Sequence, residues 1–282
     1  MAPPIEAAQF SPIILGLILV FATYMFARLL GFSQPSASMV MLFTSFSFHI
    51  TVGMYGGPIA NWIGLIFYYL FWGFLCLAMR TKSWLHCSTS MAFLGLLMFS
   101  HSETWGMSMG VLLLLFSIHF LMWVFKRKDG KAESLMLLTV ICFGALLNFF
   151  RNAFLNAGLG KVEAVGVAQT SISLGNLLNF WAILNESVLS FKGVSFINPI
   201  LDFLAFIGSL SIFLGESRKS EIFKALIINS SFPFLLGDRV LQTRIMYNLP
   251  LQIFALIGLY TLSSVLELCF EEAEAKKLKK LL

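Results

Sequence analysis

Residues 61–79 read NWIGLIFYYLFWGFLCLAM, a run with no charged side chain. The run belongs to a longer charge-free stretch, 29–79, which lies between Arg28 and Arg80. Each ionised side chain at a helix centre costs about 3 kcal/mol to insert into a bilayer, so such runs predict segments that cross the hydrocarbon core. Further stretches without Asp, Glu, Lys or Arg include 83–102, 104–125, 134–150, 203–215, 225–237 and 245–266.

The composition of the whole chain supports the same interpretation. Apolar residues make up 58% of the 282 residues and charged residues 12%, whereas an average soluble domain carries about 25% charged residues. These values exclude a water-soluble globule, a disordered chain and a small disulfide scaffold. The apolar runs are continuous and do not alternate with a period of two, so strands are excluded. We therefore predict an all-α, polytopic transmembrane helix bundle in which residues 1–282 form a single domain.

A transmembrane helix needs about 20 apolar residues, and by this measure we predict about nine spans, within a range of about eight to ten. The predicted spans are 13–31, 38–53, 58–79, 85–100, 104–125, 134–150, 196–214, 222–236 and 247–270.

The segment 151–195 differs from these spans because polar residues interrupt its apolar run. Asn176 and Asn179, three residues apart, share one side of a helix. The segment either crosses with a polar face buried in the bundle or is an external or re-entrant piece. If 174–191 does not cross, all basic clusters fall on one side, which the positive-inside rule makes cytoplasmic. These clusters are Arg80/Lys82, 126–131, Arg218/Lys219/Lys224 and the lysines of the tail 271–282.

We prefer the arrangement in which 174–191 does not cross. It predicts an integral protein of the cell membrane with its N-terminus outside and its charged C-terminal tail in the cytoplasm. Arg239 and Arg244 then lie on the outer side, just before the last span. An arginine offers a bidentate fork to phosphate or carboxylate, which indicates an anion site. The alternative is that both side chains extend to lipid headgroups.

A second group of candidate residues lies on the same outer side. His101 and Glu103 stand two apart between two spans, where such a pair can bind a metal, exchange a proton or hydrogen-bond a sugar. Trp105 can stack on a sugar or belong to the aromatic belt. Tyr55 and Asn61 complete the predicted sugar or acceptor contacts. The structural alternative is an interfacial turn that begins a helix with Glu103 near its N-terminus.

Two histidines, His49 and His119, lie inside apolar runs. Intramembrane ionisable groups are functional candidates, and the alternative is a neutral ring bonded to a neighbouring helix. No pattern of a metal site, nucleotide loop or catalytic nucleophile occurs. The sequence therefore identifies no catalytic residue and no cofactor, and a divalent metal stays an open alternative. The net charge of +5 comes from short clusters between apolar runs and does not indicate a nucleic-acid partner.

Two stretches resemble the membrane region of GT-C-type glycosyltransferases, which take sugars from polyprenyl-phosphate carriers at the outer face. In the stretch 53–105, a turn with Tyr55, Gly56 and Pro58 leads into NWIG at 61–64 and ends in FSH at 99–101 and TW at 104–105. The stretch 244–260, RIMYNLPLQIFALIGLY, resembles the last span of archaeal and bacterial members. With the basic inner loops, the likeness covers about two-thirds of the chain.

The resemblance implies a GT-C-like fold that binds a polyprenyl-phosphate-linked sugar, with Arg239 or Arg244 on the lipid phosphate. Family members carry an essential acidic residue in their first external loop, whereas the first 102 residues here contain one carboxylate, Glu6. The chain thus resembles the later part of the fold without its N-terminal catalytic portion. A second membrane subunit that supplies the acid is the partner this implies.

Three functions are compatible with these features. One is a GT-C-like glycosyltransferase or a subunit of one. Another is a non-catalytic scaffold subunit of a membrane complex, favoured by the missing acid. The last is a transporter of a lipid or small anion, for which 174–191 would be a broken helix.

Overall fold

The computed structural model describes residues 4–47, 50, 59–126, 130–155, 199–215, 218–231 and 248–281. Within these ranges all regular structure is helical, so the predicted all-α class is confirmed. We number the helices in chain order. They are α1 (Pro4–Leu29), α2 (Gln34–Ser45), α3 (Ile59–Thr81), α4 (Trp84–Ser100), α5 (Ser102–Lys126), α6 (Lys131–Leu155), α7 (Pro199–Leu214), α8 (Arg218–Ser231) and α9 (Leu251–Leu281).

Five of the described helices, α1, α3, α5, α6 and α9, are long and apolar enough to cross a membrane, which confirms an integral membrane protein. Helices α4 and α7 are apolar but shorter. Helices α2 and α8 have 12 and 14 residues, which corresponds to about 18 and 21 Å against a hydrocarbon core of about 30 Å. The nine-span count therefore stays a prediction. Most of the segment 151–195 lies outside the described residues.

Helix α3 is the centre of the bundle. Of its apolar part, 72% of the residues are buried, against 28–33% in the other four long helices. Its large aromatic side chains, including Trp62, Tyr69 and Trp72, are almost completely enclosed. The helix packs against α1, α4, α5 and α6. The stretch that predicted a membrane span from its composition therefore also supplies the largest share of the described core.

Glycine contacts show the relative direction of α1 and α3. A Cβ added to Gly16 of α1 would meet Trp62, and one added to Gly73 of α3 would meet Leu29. Residue numbers rise together along this contact, so α1 and α3 run parallel. Gly73 fits because its missing side chain leaves room for Leu29, whose Cδ1 would lie 2.7 Å from an added Cβ.

Helices α5 and α6 run antiparallel. Gly144 of α6 lies against Met109 of α5, and Gly130, just before α6, lies against the His119 carbonyl. Gly130 has a φ of +110°, a conformation that glycine adopts without the steric cost a side chain would bring. We call the end of the bundle where α4 stops and α5 starts the His101 end. The opposite end, where α3 stops and α4 starts, is the Lys82 end.

Helix α8 also runs antiparallel to α5. Glu221 in its first turn lies 3.6 Å from His119 Nε2, and Asn229 near its C-terminus donates a hydrogen bond of 3.4 Å to the Met107 carbonyl. The chain therefore enters α8 at the Lys82 end and leaves it toward the His101 end. Lys224, in the second turn of α8, donates to the Gly215 carbonyl just after α7.

Among the described helices, α7 and α9 form the most extensive pair, and they run parallel. The Gly208 and Gly258 backbones face each other, and Thr261 donates to Ser211 with an oxygen–oxygen distance of 2.9 Å. Both pairs are offset by the same number of residues, as a parallel contact requires. Because α7 ends beside Lys224 at the Lys82 end, both α7 and α9 start at the His101 end. This is also the end at which α6 stops.

Charged residues are distributed unequally between the two ends. Arg151, near the end of α6, is the described arginine at the His101 end. Arg80, Lys82 and Lys131 lie at helix boundaries of the Lys82 end, and Lys224, in the second turn of α8, lies near the same end. Helix α9 extends past the Lys82 end, and its backbone stays helical to Leu281. The helix therefore contains nearly all of the predicted tail, 271–282. The described basic helix connections thus share one end of the bundle.

Candidate functional site

A buried polar cluster at the His101 end centres on the His101 ring. His101 is the single residue between α4 and α5, with φ −153° and ψ 88°. Its backbone amide still donates to Leu97, and its carbonyl accepts from Trp105 in the first turn of α5. Both helices therefore hold the backbone of His101, and its side chain points toward the start of α3.

Both ring nitrogens of His101 bind other side chains or backbone groups. Nε2 lies 2.6 Å from Asn61 Oδ1 in the first turn of α3. Nδ1 lies 2.8 Å from Thr104 Oγ1 and 3.3 Å from the Thr104 backbone nitrogen. With the Asn61 oxygen facing the ring, Nε2 carries a hydrogen and the Thr104 amide donates to Nδ1. The ring joins α3 to α5. Because both of its nitrogens are engaged, the contacts favour a role in holding these two helices in position.

The cluster continues from α5 to the residues that lead into α9. The Thr104 hydroxyl, whose single hydrogen is shared between His101 Nδ1 and Asn248, lies 3.1 Å from Asn248 Oδ1. Asn248 Nδ2 lies 3.0 Å from the Met107 sulfur. Asn248 is 4% exposed. We call Asn61, His101, Thr104 and Asn248 the polar node. It connects three helices whose residues are far apart in the sequence.

Asn248 also marks one flank of the segment that carries the two candidate arginines. Residues 232–247 lie outside the described part of the chain. Asn229, on the other flank, donates to the Met107 carbonyl, and Asn248 donates to the Met107 sulfur. Both flanks of the segment are thus fixed to the same residue of α5, about one turn from Thr104.

The structure brings together some of the residues that the sequence predicted as sugar, acceptor or phosphate contacts. Asn61 and His101 bind each other in the polar node. Glu103 and Trp105 lie half-buried in the first turn of α5, on either side of Thr104. The Trp105 indole nitrogen is buried and finds no hydrogen-bond acceptor among the described residues. The remaining predicted contacts, Tyr55, Arg239 and Arg244, lie outside the described residues.

Two members of the node, Thr104 and Asn248, have roles that the sequence reasoning missed. Thr104 was noted only as part of the TW pair in the stretch 53–105 that resembles the glycosyltransferases. Asn248 stands in a charge-free predicted span. A usable signal exists for Asn248, because a polar residue two positions before Pro250 marks a helix start. Its partner Thr104 is 144 residues away, a pairing that no local pattern predicts.

The intramembrane histidines have different outcomes. His119 is buried on α5 and faces Glu221 of α8. The ring therefore contacts a neighbouring helix at the Lys82 end, away from the node, and both interpretations of His119 stay predictions. His49 lies outside the described residues. Across the described ranges, no three His, Cys, Asp or Glu side chains lie together as metal ligands.

Gly64 of α3 gives a test of the node's packing. A Cβ at Gly64 would lie 2.7 Å from His101 Cβ, which the backbone of the turn holds in place. We expect Gly64→Ala to lower the free energy of unfolding by about 1–3 kcal/mol, the usual cost of overpacking. Chemical unfolding in mixed micelles would measure the change.

The matched control for Gly64→Ala is Gly95→Ala on α4. An added Cβ there meets only Leu147 Cδ2 at 3.5 Å, an ordinary contact, so we expect no loss of stability or a gain of about 0.5–1 kcal/mol. An equal loss in both variants would contradict a specific packing of Gly64 on His101.

Comparison with models of known protein families and with curated proteins gives no match for this chain.

Proposed function

We propose that this protein is a GT-C-like membrane glycosyltransferase, or a membrane subunit of one, that binds a polyprenyl-phosphate-linked sugar at the His101 end. The observation that carries the proposal is the hydrogen bond between Thr104 and Asn248. Thr104 belongs to the first stretch that resembles the family, 53–105, and Asn248 to the second, 244–260. The two stretches thus meet in one buried polar node, as a shared ligand site requires.

The distribution of basic residues supports an orientation for this site. Arg80, Lys82, Lys131 and Lys224 lie at the Lys82 end, which the positive-inside rule places in the cytoplasm. The His101 end then faces the outside of the cell membrane, where lipid-linked sugars are used by such enzymes. Helix α1 starts at this outer end, and α9 ends on the cytoplasmic side.

The node itself supplies neutral hydrogen-bonding groups and no acid. Glu103 in α5 and Asp202 in the first turn of α7 are carboxylates at the His101 end, and Glu6 is the only one in the first 102 residues. Within the part of the chain that the structure describes, this scarcity favours the second candidate function, a non-catalytic subunit that holds the lipid carrier for a partner. The partner would bring the acid-bearing external loop.

The proposal predicts that the arginines before α9 bind the lipid phosphate. A charge-assisted hydrogen bond contributes about 1.5–3 kcal/mol, so the double variant Arg239→Ala/Arg244→Ala should bind polyprenyl phosphate about 10- to 100-fold more weakly. Native mass spectrometry of the protein in lipid nanodiscs, titrated with polyprenyl phosphate, would measure the affinity.

The control is Arg80→Ala/Lys131→Ala, which removes two exposed charges at the Lys82 end. Its affinity should equal that of the native chain if binding occurs at the His101 end. Equal weakening in both double variants would indicate a general attraction to charge, and unchanged affinity in both would remove the arginine site. Co-purified proteins, identified in the same preparations, would distinguish an independent enzyme from a subunit.

A further inference from the structure

A second polar pair lies deeper in the bundle, between α3 and α9. Gln252 Nε2, in the first turn of α9, donates to the Tyr69 hydroxyl of α3 over 2.9 Å. Tyr69 is 0% exposed and Gln252 2%. Apolar side chains surround the pair; Phe26, for example, stacks on Tyr69 with ring centroids 5.4 Å apart.

The hydrogen bond between Gln252 and Tyr69 leaves one further hydrogen-bonding group on each side chain without a partner. Gln252 Oε1 is buried and has no hydrogen-bond donor among the described residues. If the amide were turned over, Oε1 would accept from Tyr69 and the NH₂ group would be the unsatisfied one. One end of the Gln252 amide is therefore unsatisfied in either orientation. The Tyr69 hydroxyl, which accepts from Gln252, also keeps a hydrogen of its own to donate.

An unsatisfied amide in this position is costly. A buried donor or acceptor without a partner costs about 1–3 kcal/mol, and more in an apolar membrane interior. Here an unsatisfied acceptor and an unused donor stand next to each other on one pair of side chains. A single molecule that can both accept and donate satisfies both groups.

The pair is continuous with the polar node. On α3, Tyr69 follows Asn61 by eight residues, about 12 Å along the helix axis. On the other side, Gln252 follows Asn248 by four residues. The same two chain segments therefore carry polar side chains from the His101 end toward the middle of the bundle.

We propose that an ordered water molecule is bound between Tyr69 and Gln252, as the inner end of a hydrated polar site that begins at the node. The water accepts a hydrogen bond from the Tyr69 hydroxyl and donates one to Gln252 Oε1. Buried waters in proteins make about three hydrogen bonds to groups of this kind. This site does not depend on the ligand bound at the node or on the function proposed above.

Radiolytic hydroxyl labelling tests the proposal directly. A short X-ray pulse generates hydroxyl radicals from water, and a side chain without solvent exposure is oxidised only where a bound water lies beside it. We expect Tyr69 to be oxidised in the full chain in detergent, with oxygen incorporated from ¹⁸O-labelled water. Phe71, also 0% exposed on α3, serves as the dry control and should stay unmodified.

The variant Gln252→Met removes the amide and keeps a side chain of similar length. Oxidation of Tyr69 should then fall to the level of Phe71, which should stay unmodified in both chains as a check on folding. The exposed Trp84 at the Lys82 end should be oxidised equally in both chains, as a check on the radical dose. No oxidation of Tyr69 in the native chain would overturn the proposal without reference to any variant. Equal oxidation of Tyr69 in both chains would overturn the assignment of Gln252 as the ligand of the water.

Discussion

Replacing Gly208 with alanine is expected to lower the free energy of unfolding by about 3 kcal/mol, at the upper end of the range for overpacking. An added Cβ would overlap the Phe254 carbonyl and lie 2.9 Å from the Gly258 nitrogen, both on α9. These are backbone atoms of a regular helix, so no side-chain rotation relieves the overlap. The α7 and α9 axes would have to move apart along their whole contact.

The same argument applies from the other side of the contact. A Cβ on Gly258 would overlap the Leu204 carbonyl of α7, so Gly258→Ala should be destabilising by a similar amount. Close approach through small residues drives helix association in membranes, where lipid offers no hydrophobic driving force between helices. Unfolding of each variant in mixed micelles, followed by circular dichroism, would measure the loss.

Gly106→Ala on α5 is the matched control for Gly208→Ala. An added Cβ at Gly106 has no heavy atom within 4 Å, so the variant should be unchanged or more stable by about 0.5–1 kcal/mol because alanine favours the helix. A stability of Gly208→Ala equal to that of the control would show that α7 and α9 do not approach so closely.

The second large effect is expected at the polar node. We expect His101→Leu to lower the free energy of unfolding by about 3 kcal/mol, since it leaves Asn61 Oδ1 and the Thr104 amide without their ring partner. Leucine cannot replace either hydrogen bond. The turn between α4 and α5 and the start of α3 would both lose a connection, and thermal unfolding in detergent would measure the change.

His86→Leu provides the comparison for His101→Leu. His86 lies at the Lys82 end, and its ring contacts the exposed Thr81 hydroxyl, so its loss should change stability by no more than about 0.5 kcal/mol. Equal losses in the two variants would contradict a special role of the node. A double-mutant cycle of His101→Leu with Asn248→Leu should show coupling of about 1 kcal/mol, because Thr104 contacts both residues.

The candidate site was predictable from the sequence only in part. His101 was singled out with Glu103 because the two stand close together between two predicted spans, and Asn61 because it belongs to the stretch that resembles the glycosyltransferases. Their mutual hydrogen bond was not predictable, since 40 residues separate them. Gln252 was missed for a different reason. A lone amide inside an apolar run changes the insertion cost little, so hydropathy does not reveal that it is buried against Tyr69.

The sequence by itself determined the class of the protein and the positions of most helices, because the cost of placing a charge in hydrocarbon depends only on local composition. The runs around 61–79 and 104–125 became α3 and α5 with boundaries close to those predicted. The tertiary structure alone decided which helix lies at the centre, that α7 and α9 run parallel, and that Thr104 meets Asn248. These features arise from packing between segments distant in the chain, where a missing Cβ or one pair of polar atoms selects the arrangement.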